Sequence, residues 1–174
     1  HDNPQYRFAS APDLARDPTL RRNIARLSEY GWAFDLQVFA PQMAGAAELA
    51  DACPGVSFVL QHAGMLEDLS PAGLEAWRSG MALLAQRPNV VAKLSGLGTF
   101  LHRNDPAHIG FVVGETVRLF GAGRCMFGSN FPIEKLWTRY EALFDAYRTA
   151  TQTLSAVDRQ AIFHDTAAGI YRLA

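Results

Sequence analysis

Short apolar runs alternate with longer helical patterns along this chain, and no other feature restricts its fold as much. "WAFDLQVF" (residues 32–39), "VSFVLQH" (56–62), "NVVAKLSG" (89–96) and "CMFGSN" (125–130) read as strands. The segments between them read as helices with recognisable ends. Asp17 is an N-cap with Pro18 at the first helical position, which predicts a helix over 18–30 stopped by Gly31. Pro41 and Gln42 open an Ala-rich helix that ends at Pro54-Gly55. "AGMLEDLSPAG" reads as a loop, from which Ser70-Pro71 starts a helix to about Arg87. Asp105-Pro106 starts another that ends near Gly121, and further helices are expected over 135–150 and 155–173. Ser155 with Asp158 has only the outline of a capping box, whose usual partner is Glu or Gln. The order is βαβαβαβα with an extra helix. Strands alternating with helices of this length imply a parallel sheet with helical crossovers.

Composition narrows the function classes. The chain has 174 residues, 49% of them hydrophobic, enough for one core, so a single domain over 1–174 is expected. A formal net charge of −1 argues against a nucleic-acid or polybasic membrane surface. No apolar run approaches the roughly 20 residues of a membrane span. The first ten residues, HDNPQYRFAS, are polar and show no signal-peptide pattern. Cys53 and Cys125 match no metal-ligand spacing, read as core residues, and suit a reducing, cytoplasmic setting.

Each strand starts apolar and ends polar. The first reaches Asp35 and Gln37, the second Gln61 and His62, the third Lys93 and Ser95, the fourth Ser129 and Asn130. In parallel α/β folds, ligands bind at the carboxyl ends of the strands. Side chains alternate across a strand, so Lys93 and Ser95 share a face, as do Asp35 and Gln37. A buried lysine needs a partner, and Asp35 is the acid able to pair with Lys93 inside the sheet. His62, last in its strand and followed by small Ala63 and Gly64, is placed to act as base or metal ligand, although a lone histidine is more often structural. Ser95 and Ser129 suit simple turn chemistry better than catalysis. His102, in "FLHRND", is a candidate to contact substrate, although a solvated loop histidine is the commoner case, and His164 is more simply structural. Trp137 either walls a pocket or packs a helix.

"FVLQHAG", then "NVVAKLSGL", then "RCMFGSNFP", in this order and spacing, resemble the amidohydrolase-related group that includes fuconolactonase-like and pyrone-dicarboxylate-lactonase-like enzymes. The likeness runs from the helix before "WAFDLQVF" to the terminal "AAGIYRL". It implies the C-terminal part, about strands five to eight, of a (β/α)8 TIM barrel. It places His62 at the end of strand six and His1 near the end of strand four. Asn130 takes a strand-eight position where the family usually has aspartate in a "GSDWP"-like stretch. The family's paired H-x-H histidines of strand one have no counterpart here. A barrel takes about 250 residues, and four parallel strands leave two long edges. The chain is therefore expected to lack roughly a third at its N-terminus, with two associating half-barrels, a homo-oligomer, as the alternative.

The resemblance implies a hydrolase that opens a lactone or similar cyclic ester by water attack on a small-molecule substrate. His62 and Asn130 are the catalytic candidates. Gln37, Lys93, Ser95, His102, Arg103 and Ser129 are the substrate-binding ones, with Arg103 suited to a carboxylate. Asn130 cannot take up a proton as aspartate would; its carbonyl only accepts hydrogen bonds. If a divalent metal such as zinc is bound, His62 is its ligand and Asn130 weakens the site. Two other readings stay open: a metal-dependent decarboxylase or amide hydrolase of the same superfamily, and a non-catalytic small-molecule-binding barrel.

Overall fold

Asp17, Ser70 and Asp105 each precede a proline, and each starts a helix in the computed structural model, which describes residues 4–7, 9 and 13–173. The Asp17 carboxylate accepts from Leu20 N at 2.7 Å and opens the helix Pro18–Ala25. Ser70 Oγ accepts from Gly73 N at 3.1 Å and opens Pro71–Ala85. Asp105 accepts from Ala107 N and His108 N, both at 3.1 Å, and opens Pro106–Phe120. These side chains satisfy amides that the first helical turn leaves unpaired. The helix expected over 18–30 tightens into a 3₁₀ turn over Arg26–Tyr30 and stops at Gly31, whose φ of 62° suits a residue without a Cβ. The other helices are Met43–Ala52, Tyr140–Ala150, Ala156–Gln160 and Thr166–Tyr171, the last two joined by a π-helical turn, Ala161–Asp165. Residues 135–139 are not part of the helix that follows; a 3₁₀ turn, Ile133–Leu136, precedes it. His1 lies outside the described residues.

Four strands, Phe34–Leu36 (β1), Phe58–Leu60 (β2), Val90–Leu94 (β3) and Cys125–Phe127 (β4), form one parallel sheet in the order β1-β2-β3-β4. All four are shorter than the apolar runs that announce them. The runs continue past the paired ladder into the polar ends, where each chain turns out of the sheet.

The two faces differ. Phe58, Leu60, Val90, Ala92, Leu94 and Cys125 join the helices in the main core. The opposite face carries a smaller cluster of Val59, Val91 and Met126, packed by Ala33, Ala167 and Ile170. The last helix therefore lies across that face. The structure corrects the expected Asp35–Lys93 pair: Tyr171 of the last helix stands between them. Lys93 Nζ donates to its hydroxyl at 3.4 Å, and the hydroxyl donates to Asp35 Oδ1 at 3.3 Å. Burial and Asp35 push the Tyr171 phenol up to about 12. Both cysteines are buried and free, as expected.

Candidate active site

Where β2 ends, the backbone turns left-handed. φ is 54° at His62, 47° at Ala63, 75° at Gly64 and 54° at Met65. The stretch expected to be an open loop begins as this compact turn, because its backbone is held from below: the buried Trp77 donates its Nε1–H to Ala63 O at 2.8 Å. A Cβ on Gly64 would collide with Met43 Cε and approach Met81 Sδ, so only glycine fits at the centre. Left-handed residues other than glycine cost roughly 1–2 kcal/mol each, and such strain tends to collect at functional sites. The turn brings the His62 ring to Ser95, with Nδ1 2.9 Å from Oγ. Burial lowers the His62 pKa; a hydrogen bond to the Ser95 backbone opposes it, Lys93 lowers it further and Asp35 raises it. Burial thus favours the neutral imidazole, and with Nδ1 engaged by Ser95, Nε2 is the nitrogen left to take a proton or a ligand.

Gly96 lets the second half of the site approach. Its φ is 61°, and a Cβ there would sit 2.5 Å from His62 Nδ1 and 3.1 Å from Asn130 Nδ2. His62 and Asn130 thus flank the same glycine. Asn130 also has positive φ, 55°, as does His102, at 52°. Beyond Asn130, a 3₁₀ turn carries a residue that the sequence reading did not single out. Glu134 is fully buried, at 0% exposure. Its backbone N donates to Asn130 O at 3.2 Å. Its carboxylate accepts from Asn130 Nδ2 at 3.4 Å, from Thr99 Oγ1 at 3.4 Å and from Trp137 Nε1 at 2.5 Å. The His102 ring stacks on Trp137, centroids 5.4 Å apart. Gly98 permits this closeness: a Cβ there would lie 2.9 Å from both Glu134 Oε2 and Trp137 Nε1.

The remaining candidates divide. Ser95, 1% exposed, is bound to His62. His102 and Trp137 wall one side. Ser129 Oγ accepts from Phe131 N at 3.3 Å and serves the turn. Lys93 belongs to the sheet face below, against Gly128 and Tyr171. Gln37 lines a separate cleft of about 260 Å³ with Tyr6, Phe39 and Gln42. The Arg103 side chain is 65% exposed and pairs with the N-cap Asp105 at 3.0 Å. Among the described residues, no group of three or more His, Cys, Asp and Glu side chains could hold a metal ion. His62 is a sound ligand, Asn130 a poor one, and Glu134 already serves three donors. These residues alone do not fit a metal centre.

His62, Asn130 and the buried Glu134 stand together beyond the carboxyl ends of parallel strands, where ligands bind in barrels of this kind. The chain belongs to the amidohydrolase family (Amidohydro_2), which it matches over residues 3–173. It is 38% identical over 173 residues to the uncharacterised protein y4mH of Sinorhizobium fredii, covering 99% of this chain and 58% of that one. It is 33% identical over 168 residues to an L-fucono-1,5-lactonase of Burkholderia multivorans, covering 90% and 57%. Among solved structures it resembles an amidohydrolase of Burkholderia multivorans with bound zinc, at a TM-score of 0.87 and 28% identity, covering 95% of this chain and 62% of that one. A candidate 2-pyrone-4,6-dicarboxylic acid hydrolase of Pseudomonas putida shares the fold at a TM-score of 0.73 and 23% identity, covering 93% and 59%. The chain thus spans under two thirds of the length of these relatives.

Proposed function

We propose that this chain contributes part of the active site of a hydrolase that opens a lactone or similar cyclic ester. The observation that carries the reading is the His62 ring, held by Ser95 and facing Asn130 across Gly96. The 33% identity to an L-fucono-1,5-lactonase supports the choice of substrate class. His62 Nε2 takes a proton from water as the water attacks the lactone carbonyl. The ring C–O bond then breaks, and the proton goes to the departing alkoxide, giving a hydroxy acid. Asn130 holds the water or the carbonyl through its own amide. His102 and Trp137 give an aromatic wall for the substrate ring, and Lys93 supplies positive charge from the sheet face. The partner is a small molecule. No described helix is long and apolar enough to cross a membrane, and a reducing, cytoplasmic setting suits two free buried thiols.

The test is a panel of sugar and aromatic lactones given to the full natural chain, with and without added zinc or manganese. Turnover of at least one lactone is expected, and His62→Ala should lower it on the order of 100- to 10,000-fold. A panel left untouched by the full chain, or turnover unchanged in His62→Ala, overturns the reading.

A further inference from the structure

Glu134 is a buried carboxylate that, among the described residues, makes no ion pair. Among the described residues, its side-chain partners are the neutral donors Trp137, Thr99 and Asn130. A carboxylate taken out of water without a positive partner is costly, so stability alone does not account for it. The titratable groups around it are few. Tyr147, from the helix Tyr140–Ala150, has its phenol pushed up by burial first and by Glu134 second. His102 lies on the far side of Trp137, and His62 lies across Gly96.

What Glu134 does to Asn130 follows from hydrogen-bond chemistry. The two ends of an asparagine amide are nearly the same shape, and either can face a neighbour. An ionised carboxylate only accepts. Facing Glu134, Asn130 must turn its NH₂ group inward and its carbonyl oxygen away. The orientation that leaves Asn130 Oδ1 as an acceptor at the strand end is thus imposed by Glu134. The converse also holds. An aspartate at 130 would set a second carboxylate at about the 3.4 Å now spanned by the amide, and two like charges that close do not both ionise without cost.

We propose that Asn130 and Glu134 are one functional pair, in which Glu134 acts as the positioning residue for Asn130. The strand end then has its acceptor at 130 and its carboxyl group four residues further along, under cover of Trp137. The catalytic part of this inference rests on the hydrolase reading; the pairing itself does not.

Four versions of the full natural chain test it: wild type, Glu134→Gln, Asn130→Asp and the exchange Asn130→Asp/Glu134→Gln. The first readout is the thermal midpoint between about pH 4 and pH 8, from the ordinary carboxylate range to well above it. Asn130→Asp keeps a shared proton in the folded state, so its stability should fall as pH rises. The exchange, with one carboxylate again, should lose that pH dependence and be more stable than the two single changes add to. The second readout is lactone turnover. Glu134→Gln should lower kcat about 10-fold or more with little change in KM, and the exchange should recover part of the loss in Asn130→Asp. Additive midpoints with no pH dependence in Asn130→Asp overturn the pairing. A coupled midpoint with kcat of Glu134→Gln at the wild-type value overturns the positioning role. If the wild type turns over no lactone, the hydrolase reading fails, and the midpoint cycle still decides the pair.

Discussion

At Gly96 a single methyl group is enough to test the site. An alanine there would require positive φ and would press its Cβ to 2.5 Å from His62 Nδ1. Gly96→Ala should break the His62–Ser95 contact and lower kcat/KM on the order of 100-fold. It should also move the His62 pKa back toward its ordinary 6.5. An NMR titration of the His62 ring together with kinetics checks both. His62 carries a second prediction. Its pKa is depressed in the folded state, chiefly by burial. The unfolded chain therefore binds the proton first as pH falls below 6.5, and the folded state is penalised there and not above. The stability advantage of His62→Gln over wild type should grow from pH 7 down to pH 5 and vanish above pH 7; a flat difference between the two melting curves contradicts it. At this scale the sequence was partly legible. His62, Ser95 and Asn130 stand at strand ends, where polarity after an apolar run is a visible signal. Glu134 was not, because it sits in a turn beyond a proline, one acid among 17. Its i, i+4 spacing from Asn130 was the only pointer, and that spacing has meaning only once the segment is known to turn.

Among the elements, the helices were legible at their starts because capping is local chemistry. An Asp or Ser before a proline satisfies amides within three residues, and no distant contact need be known. Strand limits were not, since ladder pairing depends on neighbours far along the chain. β1 covers Phe34–Leu36, three residues from a run of eight. The left-handed turn after β2 was also hidden. Nothing local marks Ala63 for positive φ; the donor that holds it, Trp77, comes from the helix Pro71–Ala85, 14 residues on. Trp77→Phe keeps most of the apolar bulk and removes that donor, leaving Ala63 O buried without it. The expected cost is about 1–3 kcal/mol, read from urea unfolding, with faster exchange of the amides in the turn. A loss no larger than that of a conservative surface change would show that the turn stands without Trp77.

Seen whole, the chain is a parallel sheet whose helical crossovers cover one face, as the alternation of apolar runs and helical patterns indicated, while its final helix lies on the other. Side-chain alternation put Asp35 on a face with Lys93, but nothing local marks Tyr171, 136 residues from Asp35, as the group that stands between them. The last helix should matter in proportion. Ile170→Asp would bring a carboxylate against Val59, Val91 and Met126. It should cost about 1–3 kcal/mol and raise the binding of an apolar dye, both measurable on the purified chain. The order β1-β2-β3-β4 has a further consequence. Each strand pairs with the one made just before it, so every new unit leaving the ribosome finds its template already in place. The sheet can be laid down in the direction of synthesis, and the reach of Tyr171 back to β1 follows only after all four strands have been made.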